Sequence, residues 1–499
     1  MLKDVDEIIL ARLRPRWLSL RRGGFVRPVH EYRQLYIGGR WRDADGGESI
    51  LVRSPIDESV IGSVPSATTQ DVDDAAIAAQ ASQESWSRSR ALERAEYLRL
   101  VARSIRADEE LLADQLVSEI GVPSRAVNPM QVAMAASAFE DSAEFIAHES
   151  ANYTVGNSQV EERPIGPVAC IVPWNAPLYQ ASLKVAAALA AGCTVVLKPS
   201  ELSSFTAFAL ARYIDEAGFP PGTFNLVTGR GTPVGEALVR HPSMRMVSFT
   251  GSKATGETIA RLASVGVKKC ALELGGKGAA LLADGCDLAR AVQDTFWRCM
   301  AFSGQTCAAT TRMIIPRASA GDVQRMLKRL LEEAIVGDPR HPGTHLGPLI
   351  SSEQKASVEE FLGLAACQGA RPLTYAARSA LPAHGYFVLP TVFWDVEPTM
   401  RIAQEEIFGP VLSVMIADTQ EQAIEIANST PYGLSNSVWA ATSEKAMSIG
   451  RQVISGSVYI NGGDFNPRAP FGGFGLSGYG RERGGAGVRE FRQSVAYHL

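Results

Sequence analysis

The chain has 499 residues, 46% of them hydrophobic and 20% charged, with a formal net charge of −4. That length and balance describe a soluble globular protein of two or three domains with a large core, and the lack of a long basic run excludes a dedicated nucleic-acid binder. The seven cysteines are scattered and form neither a CxxC pair nor a Cys/His cluster, so no metal site is expected and the chain reads as cytoplasmic, a reducing compartment. The longest apolar runs, such as 185–196, are broken by small residues and stop short of a membrane span.

Residues 1–30 carry six arginines between Arg12 and Arg27, together with Asp4, Asp6 and Glu7. Organelle leaders are poor in acids and secretory signals need an apolar core, so this segment reads as a solvated extension dispensable for chemistry. The stretch Tyr36-Ile37-Gly38-Gly39-Arg40-Trp41 predicts a hairpin. An Ala-rich helix follows over 71–86, capped by Thr69 or Asp71. One or two amphipathic helices span 91–120 and are stopped by Gly121 and Pro123. A further helix over 130–147 leads into an extended polar stretch at 153–163.

From Pro164 the pattern changes to short apolar runs alternating with helices. Buried strands are expected at 168–172, 194–198, 223–227 and 246–250, with helices over 178–191, 204–217 and 233–240 between them. Such alternation makes a parallel, doubly wound sheet, and a ligand belongs beyond the carboxyl ends of its strands, where Pro173, Lys198, Gly229 and Gly251 fall. A second alternation, with strands near 279–282, 312–315, 411–416 and 437–440, reads as a second α/β domain. Residues 490–499 are strand-like.

Chemistry concentrates in three stretches. Phe302-Ser303-Gly304-Gln305-Thr306-Cys307-Ala308 puts a cysteine in a small, polar turn just after a helical run at 287–300, where a thiol can be exposed and still rigidly held. A single cysteine is ordinarily structural. Its company is what matters: Leu272-Glu273-Leu274-Gly275-Gly276-Lys277 lies 34 residues earlier, and Pro173-Trp174-Asn175-Ala176-Pro177 earlier still. A thiol, a carboxylate and a side-chain amide are the parts of an acyl-transfer machine that works through a thioester.

Other motifs suggest a cofactor. Gly251-Ser252-Lys253-Ala254-Thr255-Gly256 follows a strand and opens a helix, so its backbone N–H groups can approach a pyrophosphate. Its spacing is not the common GxGxxG, and in isolation it also reads as a plain strand-to-helix turn. Lys198-Pro199-Ser200-Glu201 can grip two ribose hydroxyls, or Glu201 can simply complement a helix dipole. Glu405-Glu406-Ile407-Phe408-Gly409-Pro410-Val411 alone is an acidic turn before a strand.

With these motifs in this order, the chain resembles the NAD(P)-dependent aldehyde dehydrogenases of the hydrolytic type over residues 36–499, nearly its whole length. The resemblance implies a Rossmann-type cofactor domain (31–147 and 164–273), a second α/β catalytic domain (274–482) and a small β oligomerisation flap (148–163 and 483–499), assembled as a homodimer or homotetramer. It implies Cys307 as nucleophile, Glu273 as general base, Asn175 as oxyanion donor, and Lys184 as support for Asn175 and proton relay. The other reading of Lys184 is an exposed helix charge. Trp174, Gly231, Gly251 and Ser252 are expected at the cofactor, Lys198 and Glu201 at its adenosine ribose, Glu406 at the nicotinamide ribose and Phe408 beside the nicotinamide ring. A carboxylate at 201 repels a 2′-phosphate and favours NAD, although Lys198 leaves NADP open.

The sequence also departs from its relatives. Ala176 and Leu183 stand where family members often carry bulky aromatics along the substrate tunnel, with Phe471 and Tyr179 partly refilling the space. A wide apolar tunnel predicts a bulky apolar or aromatic aldehyde. Gly475 replaces a common lysine, which reads as structural, and Arg468 either faces the tunnel mouth or is an exposed charge. Two alternatives are a CoA-acylating enzyme, which generally lacks the Glu273 base, and a silent binding protein on the same scaffold. Cys307, Asn175 and Glu273 are all present and argue against the second.

Overall fold

The computed structural model describes residues 30–149, 152–376 and 380–499, so the extension expected at 1–30 lies, but for His30, outside the described residues. Within the Val168–Ile171 strand, Val168 and Cys170 enter one apolar cluster, while Ala169 and Ile171 enter another. The same alternation runs through Val195–Lys198 and Met246–Thr250. Strands buried on both faces need helices on both faces, which is how a doubly wound sheet is stabilised.

That first sheet has eight strands, in the order Gly478–Tyr479, Lys269–Glu273, Met246–Thr250, Val168–Ile171, Val195–Lys198, Phe224–Leu226, Gln34–Ile37 and Arg40–Asp43. The strands from Lys269–Glu273 to Phe224–Leu226 are parallel, and both edges are closed by antiparallel partners. Lys269–Glu273 is a strand that the hydrophobic pattern does not announce, and its last residue is Glu273.

The helix Pro177–Ala191 is buried along its entire length. Its sequence explains this: it is alanine-rich, opens on Pro177, where the missing N–H is not needed, and ends on Gly192 in the left-handed conformation. The first helix runs from Thr69 to Arg88, and its cap is Thr68, one residue before the expected positions; Thr68 and Asp71 form a reciprocal capping box. The expected span 91–120 divides at Asp108 into Ala91–Ala107 and Glu109–Ile120, and Gly121 ends it as predicted. The helix expected from 130 begins as a widened turn, Asn128–Val132, before Ala133–His148.

The second sheet has seven strands, in the order Arg371–Pro372, Thr391–Trp394, Val411–Ala417, Thr310–Pro316, Gly278–Leu282, Ser435–Trp439 and Ser457–Ile460. All are parallel except Arg371–Pro372. It too separates two cores: Ala279 and Leu281 face one, Ala280 and Leu282 the other. A third, three-stranded sheet pairs Arg492–His498 antiparallel with Ser158–Pro164, which pairs in turn with Asn152–Val155. The final strand starts later than expected because the short helix Gly484–Glu490 precedes it. Among the described residues, no helix is long and apolar enough to cross a membrane.

Candidate active site

Strand ends and one irregular loop converge on a cavity of about 270 Å³. Trp174 and Asn175 reach it after Val168–Ile171, and Gly251 and Ser252 after Met246–Thr250. Glu273 ends its own strand there, Cys307 comes from the loop before Thr310–Pro316, and Glu406 and Phe408 from the turn before Val411–Ala417. Eight of the residues singled out in the sequence thus line one space.

The cysteine loop is conformationally expensive. Helix Leu288–Met300 is followed by three residues in left-handed backbone, Phe302 (φ 49°), Ser303 (φ 57°) and Gly304 (φ 76°). For the two non-glycine residues this costs about 1–2 kcal/mol each. Tertiary contacts hold the loop in place. Ser303 Oγ donates to the Gly347 carbonyl at 2.8 Å, Gln305 Nε2 donates to the Phe302 carbonyl at 3.1 Å, and Gln305 Oε1 accepts the Ile350 N–H at 2.9 Å. At Gly304 a Cβ would overlap the Gly409 carbonyl. The outcome is a half-buried Cys307 on the cavity wall. Desolvation pushes its thiol well above the usual range, the Glu273 and Glu406 carboxylates push the same way, and Arg483 opposes them. A thiol in this state needs a base.

Glu273 is buried, and neither of its carboxylate oxygens has a hydrogen-bond partner among the described residues. Burial, and after it the carboxylate of Glu482, pushes its pKa up to about 8, while Lys184 and Arg483 act in the opposite direction. Asn175 is anchored by its own backbone carbonyl, which accepts from Gln131 Nε2 at 3.1 Å. Its side-chain Nδ2 donates one N–H to the Gln305 carbonyl at 2.9 Å, tying the amide to the cysteine loop and leaving a second N–H.

Lys184 is neither an exposed helix charge nor hydrogen-bonded to Asn175. It is 1% exposed, so it is not a surface charge, and its partners are Glu482, in a buried ion pair, and Ser248 Oγ at 3.3 Å, rather than Asn175. Glu482 is a site residue that the motif analysis missed. One signal pointed to it: a lysine that is the one charge in the stretch 178–191 has to meet a carboxylate if it is buried.

At the opposite end of the cavity, Ser252 caps the helix Lys253–Ser264 by accepting the Thr255 N–H at 3.2 Å. Glu406 Oε1 accepts the Gly276 N–H at 3.0 Å, and burial pushes this carboxyl up to about 7. Gly275 makes room for it, since a Cβ there would overlap the Glu406 carboxylate. Phe408 (φ 56°) meets the Trp174 ring edge-on at 5.3 Å.

The remaining predicted residues stand outside this lining. Lys198 is buried, donates to the Pro199 carbonyl at 2.9 Å and lies 3.8 Å from Glu201. Gly231 opens the turn Gly231–Gly235, and a Cβ on Gly235 would come within 3.6 Å of the Lys198 stem. Ala176 precedes the buried helix, Leu183 joins Tyr179 and Ala138 in a small apolar cluster, and Phe471 lies under the Arg483 guanidinium at 4.1 Å. Arg468 is exposed and paired with Asp141 and Glu144, each at 2.8 Å. Gly475 lies in a short strand paired with Tyr432–Gly433, a structural place.

Fold and site together define an α/β protein built on two large, mainly parallel sheets, with a cysteine, a glutamate and an asparagine around one cavity. The chain belongs to the aldehyde dehydrogenase family, whose sequence model matches residues 41–496. It is 39% identical over 470 residues to a 3-succinoylsemialdehyde-pyridine dehydrogenase from a Pseudomonas species, covering 94% of this chain and 98% of that protein. Among solved structures it is similar to aldehyde dehydrogenase C of Pseudomonas syringae, a cysteine-to-alanine mutant complexed with NAD+ and octanal (TM-score 0.91, 38% identity, 96% and 98% of the two chains). It is also similar to a Mycobacterium tuberculosis aldehyde dehydrogenase complexed with NAD+ (TM-score 0.92, 37% identity, 94% and 99%).

Proposed function

We propose that the protein oxidises an aldehyde to the carboxylic acid with NAD, through a thioester on Cys307. The observation that carries this reading is the orphaned carboxylate of Glu273 sharing one cavity with Cys307 and Asn175. Glu273 takes the thiol proton, and the thiolate adds to the aldehyde carbon to give a thiohemiacetal. The free N–H of Asn175 and the backbone N–H of Cys307 hold the oxyanion. NAD, when bound, supplies the hydride acceptor. Glu273 releases the thiol proton outward through the Lys184–Glu482 pair, then deprotonates the water that cleaves the thioester, and the second proton follows the same route as the Cys307 thiolate leaves.

The cavity fits a dinucleotide at its other end. The Lys253–Ser264 helix N-terminus suits a pyrophosphate, and Glu406 has one oxygen engaged by Gly276 and a second left for a ribose hydroxyl. Trp174 and Phe408 offer ring surfaces for the nicotinamide. Lys198 and Glu201 hold the adenosine ribose beside the Gly231 turn, with Glu201 repelling a 2′-phosphate, so NAD is preferred to NADP. Ala176 and Leu183 leave the tunnel wide and apolar, which suits a bulky or aromatic aldehyde. The domain limits are supported by the two large sheets except at Gly478–Tyr479, which lies within 274–482 and pairs with the first sheet, and the sheet of Asn152–Val155, Ser158–Pro164 and Arg492–His498, with Tyr153, Val155 and Tyr497 exposed, is the surface through which copies assemble as a dimer or tetramer. All seven cysteines are free thiols, in keeping with the cytoplasm.

The test is NADH formation, followed by absorbance, with NAD or NADP over a panel of aliphatic, aromatic and charged aldehydes, and with Cys307→Ala alongside. Turnover with NAD that is absent in the variant is the expected result. A higher kcat/KM for acetaldehyde than for benzaldehyde would remove the wide-tunnel part alone. Cofactor binding without turnover of any aldehyde would overturn the function.

A further inference from the structure

Five arginines occupy the last stretch of the chain from Arg468, and four have conventional partners. Arg468 pairs with Asp141 and Glu144, Arg489 and Arg492 share Glu149, and Arg481 donates to the carbonyls of Gly473 and Gly480. Arg483 is different. Among the described residues it has no carboxylate partner, and its Nε is buried without an acceptor. Three aromatic rings surround its guanidinium instead: Phe471 at 4.1 Å, Phe465 at 4.4 Å and Tyr179 at 5.9 Å.

The backbone reinforces the oddity. Arg483 adopts φ 71° and ψ 149°, a region that is essentially glycine's, in a segment where Gly484 and Gly485 show that glycine is at hand. A strained, half-buried arginine enclosed by aromatic faces is a poor structural choice. Cation–π contact compensates part of its desolvation, but its buried Nε donor is left without an acceptor. Its charge reaches the reaction centre, since it opposes the desolvation of both Cys307 and Glu273. Tyr179 lies one helical turn from both Ala176 and Leu183, so the ring box belongs to the wall that these small residues open.

We propose that Arg483 determines specificity by binding a carboxylate carried at the far end of the aldehyde substrate, whose broad, ring-like body lies against the exposed Phe465 ring at the edge of this box. The substrate class is therefore an aldehyde-acid with an aromatic or comparably bulky body, which places the reaction's product among dicarboxylic acids. This rests on the aldehyde-oxidising reading and refines it. Arg468, for which the sequence left open the tunnel mouth or an exposed charge, is already paired with two acids and does not fill this role.

The experiment uses matched pairs with the NAD-loaded enzyme: 4-carboxybenzaldehyde against benzaldehyde, and 6-oxohexanoate against hexanal. These are compared in the unaltered protein, Arg483→Leu and Arg483→Lys. The expected result is a kcat/KM ratio of at least about tenfold in favour of the carboxylated aromatic, carried mainly by KM. The ratio should collapse by about tenfold or more in Arg483→Leu and recover in part in Arg483→Lys. Calorimetric binding of terephthalate should weaken in the same order, a readout independent of turnover. Preference for the neutral member of both pairs, or an equal fall of both members in Arg483→Leu, overturns the proposal while leaving aldehyde oxidation standing. Failure of all four aldehydes overturns aldehyde oxidation itself and the proposal with it.

Discussion

Glu273, buried, and Glu406, half-buried, line the same cavity, and in both the main cause of the raised pKa is desolvation. Around Glu406 the surroundings supply a partner and room, the Gly276 N–H at 3.0 Å and a glycine that leaves space for the carboxylate, although Phe408 two residues on is left-handed (φ 56°). Around Glu273 they are irregular. The thiol stands after a left-handed run, the carboxylate has no partner, and the next charges, Glu482 and Arg483, arrive from far along the chain. The Glu406 carboxylate is met by a backbone N–H, whereas the Glu273 carboxylate is left unsatisfied beside a thiol that follows a strained run. Binding a cofactor needs a preformed cradle. Covalent chemistry needs groups that have not yet found their partners.

The largest expected effect lies at the thiol end. Glu273→Gln should lower steady-state turnover by about 10²–10⁴-fold while leaving the NAD sites around Glu406 intact, as measured by cofactor titration. In the unaltered enzyme the active form of Glu273 is the carboxylate, and its raised pKa keeps it protonated at lower pH. The rate of thioester hydrolysis should therefore rise with pH through about 8 and fall away below it, and this limb should vanish in Glu273→Gln, as read from single-turnover pH profiles. A profile already flat from pH 5 upwards would contradict the assigned base.

Asn175→Ala should come next, lowering kcat by about 10²–10³-fold through loss of an oxyanion donor. Because the same amide holds the Gln305 carbonyl, the variant should also alkylate faster at Cys307 as the loop loosens, which a thiol-reagent time course would detect. The smallest effect belongs to the cofactor end. Gly275→Ala puts a Cβ onto the Glu406 carboxylate and should weaken NAD binding by about tenfold, equivalent to roughly 1.4 kcal/mol, with thiol reactivity unchanged. Equal damage to both ends by this variant would mean that they are not independently built.

The same division explains what the sequence discloses. Periodicity is local, so the strand Met246–Thr250 and the helix stop at Gly121 are readable residue by residue. Caps are less secure: Thr68 and Thr69 are equally plausible letters, and only the reciprocal bond to Asp71 chooses between them. Lys184 was legible as a family position but not as half of an ion pair, because Glu482 lies 298 residues away and no local pattern links them. The aromatic box around Arg483 was illegible for the same reason: Tyr179, Phe465 and Phe471 belong to segments that only the fold brings together.

The short strand Gly478–Tyr479 lies against Leu272 and Glu273, and Ser477 takes the Leu274 N–H at 3.1 Å. During synthesis on the ribosome, the five parallel strands of the first sheet have emerged once residue 273 is clear, and the thiol once residue 307 is. The edge beside Glu273 nevertheless stays open, and Lys184 stays without its counter-charge, until the segment 477–483 has been made and has travelled back. A chain that stops short of 477–483 therefore holds Cys307 and Glu273 without the edge strand beside Glu273 and without the counter-charge of Lys184.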